Sequence, residues 1–152
     1  MNQQFKIRTI EPSDFLKWHF LRLLLWNDGK EDADLLSESY AFFQKKSPKQ
    51  QVFLAENKQG DVVGFIETNI RQYAEGCETD NVGFIEGWFV LAEFRQQNIG
   101  KRLVKTAEKW AKEQGCTEMG SDVVLSNDLS IMAHKNLGYE EVVRIVCFKK
   151  EL

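Results

Sequence analysis

Residues 84–114 constrain this 152-residue chain more than any other stretch. An apolar run from Phe84 to Leu91 reads as a strand. The polar, turn-prone segment Arg95-Gln96-Gln97-Asn98-Ile99-Gly100-Lys101 follows. Ile99, Leu103, Ala107, Trp110 and Ala111 then recur along one helix face as far as Gln114, where Gly115 stops the helix. The loop therefore sits at a helix N-terminus, where several backbone N–H groups lack an intrahelical partner and the macrodipole is positive. Arg95, Lys101, Arg102 and Lys105 crowd the same end, although the dipole favours carboxylates there. A bound anion resolves that conflict, and a pyrophosphate fits best. The plain alternative is a βα turn with a solvated basic face. The loop lacks the GxxxxGK[ST] of a P-loop. It also lacks GxGxxG with an acidic residue about 20 positions on, so a phosphate-bearing cofactor other than a dinucleotide is implied.

The remaining chain reads as alternating strands and helices. Phe5 to Ile10 alternates like a strand, and Glu11-Pro12-Ser13-Asp14 opens a helix carrying Phe15, Trp18, Leu21 and Leu25. A second helix is predicted from about Asp32 to Lys45. Gln51 to Glu56 and Val62 to Arg71 form a hairpin around Lys58-Gln59-Gly60. Glu75 to Asn81 is an acidic loop and Thr117 to Ser121 a short strand. Ser126-Asn127-Asp128 caps a helix ending at Leu137-Gly138, and Val142 to Lys149 reads as a final strand. The order β-α-α-β-β-β-α-β-α-β predicts an α/β fold, a mixed sheet with helices on both faces, in one domain over residues 1–152.

Charge and cysteine use narrow the function. A net charge of −3 argues against general nucleic-acid binding and favours a cationic partner. Three widely spaced cysteines without a CxxC pair predict neither a disulfide framework nor a metal site, and suit a reducing cytoplasm. No signal peptide and no membrane span are expected. Cys116 and Cys147 read as core or strand residues, and His19 as a helix-surface residue.

Two carboxylates need a reason. Glu86 interrupts the apolar Gly83-Phe84-Ile85-Glu86-Gly87-Trp88-Phe89-Val90, sharing a strand face with Phe84, Trp88 and Val90. An ionised group there must be paired or open into a cavity. Gly87 can host a bulge or admit a ligand to the backbone. Asp122 ends the next strand and lies near Glu86 if the two strands are neighbours; otherwise it caps a turn. With Glu75, Glu78 and Asp80 these acids make a patch suited to a polycation.

Taken together, the strand–loop–helix unit, Asn127 and His134-Lys135-Asn136-Leu137-Gly138-Tyr139 resemble the GCN5-related N-acetyltransferases, whose signature is Q/R-x-x-G-x-G/A. Within that superfamily the chain is most similar to aminoglycoside 6′-N-acetyltransferases. The likeness lies in Leu24-Leu25-Trp26, Ile70 to Gly76, Phe84 to Leu91 with Phe94-Arg95-Gln96, and Cys116 to Asp122. It implies acetyl-coenzyme A as acetyl donor, no metal, a cationic aminoglycoside as acceptor, antibiotic resistance as the outcome, and a homodimer. It implies that Gln96, Gln97, Asn98, Ile99, Gly100 and Lys101 wrap the pyrophosphate. The backbone of Trp88, Phe89 and Val90 would pair with the pantetheine arm, which Asn127 would hydrogen-bond. Trp26, Tyr73, Glu86 and Asp122 match aminoglycoside contacts, with Glu86 as general base through water and Asp122 orienting a ring amine or sharing that role.

Three positions depart from the family pattern. Asn98 replaces the first signature glycine, and asparagine tolerates the left-handed conformation well. His134, on the cofactor side, stands where many relatives place a thiolate-protonating tyrosine. Val143 stands where some offer another carboxylate, for which Glu140 and Glu141 are the nearest substitutes. Two other functions fit the same residues: acetylation of a polyamine or peptide amine, and a non-catalytic coenzyme A-binding module. The last requires Glu86 to be locked in a salt bridge away from any cavity.

Overall fold

The computed structural model describes residues 5–152. Its elements are β1 (Phe5–Thr9), α1 (Phe15–Trp26), α2 (Ala33–Lys45), β2 (Gln50–Asn57), β3 (Val62–Arg71), β4 (Val82–Val90), α3 (Ile99–Glu113), β5 (Met119–Ser121) and α4 (Asp128–Asn136). The five strands form one sheet in the order β1-β2-β3-β4-β5. Neighbours are antiparallel as far as β4, and β5 joins β4 in parallel.

Alternate residues of the central strands feed two cores. Val52 and Leu54 of β2 pack with Phe65, Trp18 and Leu21 on the α1 side. Phe53 and Ala55 pack with Ile66, Ile85, Leu103 and Ala107 on the α3 side. Both faces are covered, so β2 reads as a continuous apolar run rather than an alternation. Each fully buried side chain of this kind contributes about 1.5–3 kcal/mol. Local signals set the ends. Asp32 caps α2 by accepting from the Leu35 N–H at 3.0 Å, a contact contributing about 1 kcal/mol. The β2–β3 turn closes on Gly60, whose φ of +86° favours glycine.

Three expectations fail. Residues 139–152 carry no helix or strand, and Val142, Ile145, Val146 and Phe148 are exposed, Phe148 to 93%. A strand needs a neighbour to take its N–H and C=O groups, and this segment pairs with no described strand. Cys147, within it, is exposed rather than core, whereas Cys116 is buried. His19 is buried rather than on the surface, because α2 covers that side of α1; its Nδ1 lies 3.0 Å from Ser39 Oγ. Burial, helped by the Arg22 charge, pushes the His19 imidazole below its ordinary range.

Candidate active site

A register slip creates the central feature. Glu67 pairs with Gly87, but Thr68 pairs with Ile85, so Glu86 is an extra residue extruded as a β-bulge. The slip reverses the face alternation. Ile85, Trp88 and Val90 all serve the α3 core, while Phe84 joins Ala74 and Val82 on the opposite side. Glu86 therefore parts from Trp88 and Val90, contrary to simple period-two counting. Gly87 is bare for a related reason: a Cβ there would stand 2.6 Å from Trp26 Cη2 and Cζ2. Trp26, at the end of α1, thus lies directly over the bulge.

Glu86 is paired. Arg71, at the end of β3, donates Nε–H to Oε1 at 2.9 Å and Nη2–H to Oε2 at 2.6 Å, with its guanidinium 3.6 Å from the Phe84 ring centroid. The fork is two-pronged and charge-assisted. Both side chains keep contact with solvent, 38% for Arg71 and 30% for Glu86, so the carboxylate is oriented without being sealed. The β4–β5 ladder runs from Gly83–Met119 to Ile85–Ser121 and then ends. Glu86 and Asp122 are the next residue on each strand, and Asp122 is exposed. Tyr73 is exposed, and its hydroxyl is pushed up by hydrogen bonding to Glu75. Glu118 anchors the acidic loop by accepting N–H bonds from Glu78 at 3.0 Å and Thr79 at 2.8 Å, which hold its carboxyl below the usual range.

Past the bulge, β5 no longer pairs with β4, leaving one edge of residues 86–90 beside an opening. The loop after it adopts left-handed backbone at Gln96 (φ 61°) and Asn98 (φ 62°). Among the described residues, the N–H groups of Gln96, Gln97 and Asn98 have no hydrogen-bond partner. Such a succession makes an anion-binding concavity at the head of α3. The four expected cations divide their work differently. Arg95 Nε donates to the Val90 carbonyl at 2.9 Å, and Arg102 Nη1 to the Phe5 carbonyl at 2.9 Å. Lys105 pairs with Glu108 at 2.9 Å. Lys101 keeps no such partner among the described residues. It lines, with Lys6, Asn98, Arg102, Lys105 and Lys109, a groove of about 690 Å³ beside the loop. Gly100 serves packing as well: a Cβ there would meet Trp88 Cζ2 at 2.9 Å.

His134 and Asn127 face the same opening from α4. The His134 ring lies edge-on to Trp88, with centroids 5.4 Å apart. Its Nδ1 is 2.7 Å from the Ser130 carbonyl and its Nε2 is 2.8 Å from Ser121 Oγ. A carbonyl only accepts, so Nδ1 carries the proton, and in the neutral ring Nε2 accepts from the Ser121 hydroxyl. Asn127 Oδ1 caps α4 through the Ser130 N–H at 3.1 Å. Glu141 is occupied by Arg144 and Lys135, and Val143 lies in the exposed tail.

Trp26 covers the bulge beside Glu86, and His134 and Gly100 both meet Trp88. Asp122 follows the last residue that β5 pairs with β4. Arg71, Glu67, Ser121 and Glu118 escaped the sequence reading. Glu67 carried a usable signal, since it interrupts an apolar strand just as Glu86 does. Among the described residues, no cluster of three or more His, Cys, Asp or Glu side chains could hold a metal ion, and no helix is long and apolar enough to cross a membrane.

Residues 14–139 match the model of the Acetyltransferase (GNAT) family. An aminoglycoside N(6')-acetyltransferase type 1 of Klebsiella aerogenes is 40% identical over 152 residues, covering 96% of each chain. The structure of AAC(6')-Iy in complex with a bisubstrate analogue, CoA-S-monomethyl-acetylneamine, superposes with a TM-score of 0.89 at 32% identity, covering 99% of this chain and 100% of that one. The aminoglycoside antibiotic 6'-N-acetyltransferase AAC(6')-Ih from Acinetobacter baumannii gives a TM-score of 0.89 at 35% identity, covering 97% and 99%.

Proposed function

The chain belongs to the GNAT acetyltransferase family, and from that premise we propose that it acetylates the 6′-amine of aminoglycosides with acetyl-coenzyme A, conferring antibiotic resistance. The observation that carries the reading is the Glu86 extruded at the bulge, one residue past the end of the β4–β5 ladder. The whole chain acts as one domain, and the cytoplasm, where acetyl-coenzyme A is made, is its working compartment. The unpartnered N–H groups of Gln96, Gln97 and Asn98 fit a pyrophosphate, with Ile99, Gly100 and Lys101 completing the cradle. The free edge of Trp88, Phe89 and Val90 fits an extended amide arm added like a strand. Asn127 and His134 border that arm.

The cofactor supplies an activated acyl group; the chain's own residues handle the amine. A lysine-like amine of pKa about 10.4 needs about 4–5 kcal/mol to lose its proton at pH 7. Trp26, Tyr73, Asp122 and Glu86 hold the cation. As the nitrogen attacks the thioester carbon, Glu86 receives its proton through water. The carbon–sulfur bond breaks to release coenzyme A thiolate, which is protonated from solvent. An ammonium competes with Arg71 for Glu86, and the solvent exposure of that pair permits the exchange. A backbone N–H near Phe89 or Val90 polarises the acyl oxygen, and such preorganised donors carry the largest electrostatic share.

Release of free coenzyme A, assayed with several aminoglycosides and with spermidine, tests the reading. Turnover with aminoglycosides carrying a 6′-amine, and none with 6′-hydroxyl analogues, is expected. Preference for spermidine would replace the substrate class. Glu86→Gln should lower kcat/KM for the amine about ten-fold or more; an unchanged value removes Glu86 from the mechanism.

The homodimer reading has separate support. The exposed apolar tail (Val142, Ile145, Val146, Phe148) lies in the same chain as exposed Leu129 and Met132 of α4, and the sheet ends at β5. Exchange of tails between two copies would give each tail a strand edge and cover both surfaces. Light scattering should give twice the chain mass, and Phe148→Asp should shift it toward monomer. A monomeric wild type would end this reading.

A further inference from the structure

We propose that Arg22 and Glu67 are positioning residues for the acceptor amine, one buried ion pair holding the Trp26 ring over the Glu86 bulge. The inference rests on the amine site proposed above. Trp18, Arg22 and Trp26 recur at four-residue spacing along α1 and so share a face. The Arg22 guanidinium lies 5.0 Å from the centroid of each tryptophan ring. Trp18 is 1% exposed and Arg22 6%, whereas Trp26 is 44% exposed. The stack thus begins in the core and ends at the surface, over Gly87.

Arg22 cannot drift. Its Nε donates to Glu67 Oε1 at 2.7 Å, and its Nη1 donates to Ser39 Oγ at 2.7 Å and to the Leu35 carbonyl at 3.1 Å. Its Nη2 reaches Glu38 at 3.3 Å. Glu67 Oε1 also accepts the Trp18 Nε1–H at 3.0 Å. Partners on α2 and β3 therefore fix the guanidinium, whose Cζ lies over the Trp26 ring. The other end of the pair is equally placed. Glu67 is the last β3 residue in register before the slip, directly opposite Gly87.

A buried ion pair is a weak source of net stability, because desolvation offsets the attraction. Here burial pushes the Glu67 carboxyl up to about 7 against the opposing pull of Arg22. What the pair provides without dispute is geometry. Lysine would keep the charge and lose the several directed N–H donors that fix the guanidinium beside both tryptophans.

The test measures steady-state constants for Arg22→Lys in the full chain and in a Trp26→Ala background. Arg22→Lys should raise the aminoglycoside KM about five-fold or more through misplacement of the ring, with kcat and the acetyl-coenzyme A KM little changed. In the Trp26→Ala background the same substitution should add almost nothing. Glu67→Gln, which preserves volume and an acceptor oxygen, should show a smaller version of the same split and serves if Arg22→Lys fails to fold. The proposal is overturned if both KM values move together, if neither moves, or if the effects multiply in the Trp26→Ala background. Wild-type protein that turns over no aminoglycoside would remove the site reading along with it, and that assay comes first.

Discussion

The two halves of the candidate site are built by different means. The cofactor half is a contiguous loop whose working groups are backbone N–H donors, with side chains turned to other tasks: Arg95 to the Val90 carbonyl, Arg102 to that of Phe5. The amine half takes side chains from α1, from β4 and from the residue after β5, and depends on a register slip between β3 and β4. A backbone cradle asks only that the chain reach the right φ, so Asn98 can stand where relatives carry glycine. A side-chain cluster asks for several elements to agree within about half an ångström. The amine half should therefore be the more fragile.

Gly87→Val strikes the fragile half hardest. The new side chain enters space within 2.6 Å of the Trp26 ring, and overpacking of that kind costs about 1–3 kcal/mol. We expect a lower Tm and a fall of about ten-fold or more in kcat/KM for the aminoglycoside, while the acetyl-coenzyme A KM holds. Loss confined to the acetyl-coenzyme A constant would reverse the assignment of the halves. Asn98→Gly probes the tolerant half. A left-handed asparagine is strained by no more than about 1–2 kcal/mol. The acetyl-coenzyme A KM should therefore change by about three-fold at most, with no effect on the aminoglycoside KM. A change confined to the aminoglycoside KM would mean that the loop is not the phosphate cradle.

The smallest effects come from two ion pairs on the α1 side of the sheet, and their signs differ. Asp14, bonded to Arg8 of β1, is held below its ordinary 3.8 chiefly by that contact. A depressed carboxyl stabilises the fold above its unfolded pKa and loses that stabilisation as pH falls through the folded value. Asp14→Asn should thus have a lower Tm than wild type at neutral pH and converge with it in acid. Glu67 is raised from 4.5 to about 7, mainly by burial. Its contribution is fullest below 4.5 and declines as pH rises toward 7. Glu67→Gln should gain on wild type over that interval. A Tm difference that stays flat with pH for either variant would break the contrast.

Much of the fold was legible because its signals are local. The Asp32 cap, the Gly60 turn and the α3 apolar face each lie within a few residues, and the elements appear where those signals place them. The failures share one cause. His19 seemed exposed because its burial depends on α2, and the tail read as a strand because alternation cannot reveal whether a partner edge exists. Glu86 was found from its charge in an apolar run, but its face was misassigned. One extra residue inverts the alternation, and nothing in residues 83–90 announces which residue is extra.

The sequence by itself determined the strand–loop–helix unit, because backbone N–H groups at a helix start are oriented by the chain's own next few dihedrals. It also marked Glu86 as a charge needing a purpose. Only the tertiary structure decided that Arg71 would meet Glu86, that Trp26 would lie over Gly87, and that Arg22 and Glu67 would sit beneath both. Those contacts join residues as distant in sequence as Trp26 and Gly87, and their geometry exists only once the sheet register and the docking of α1 have been set.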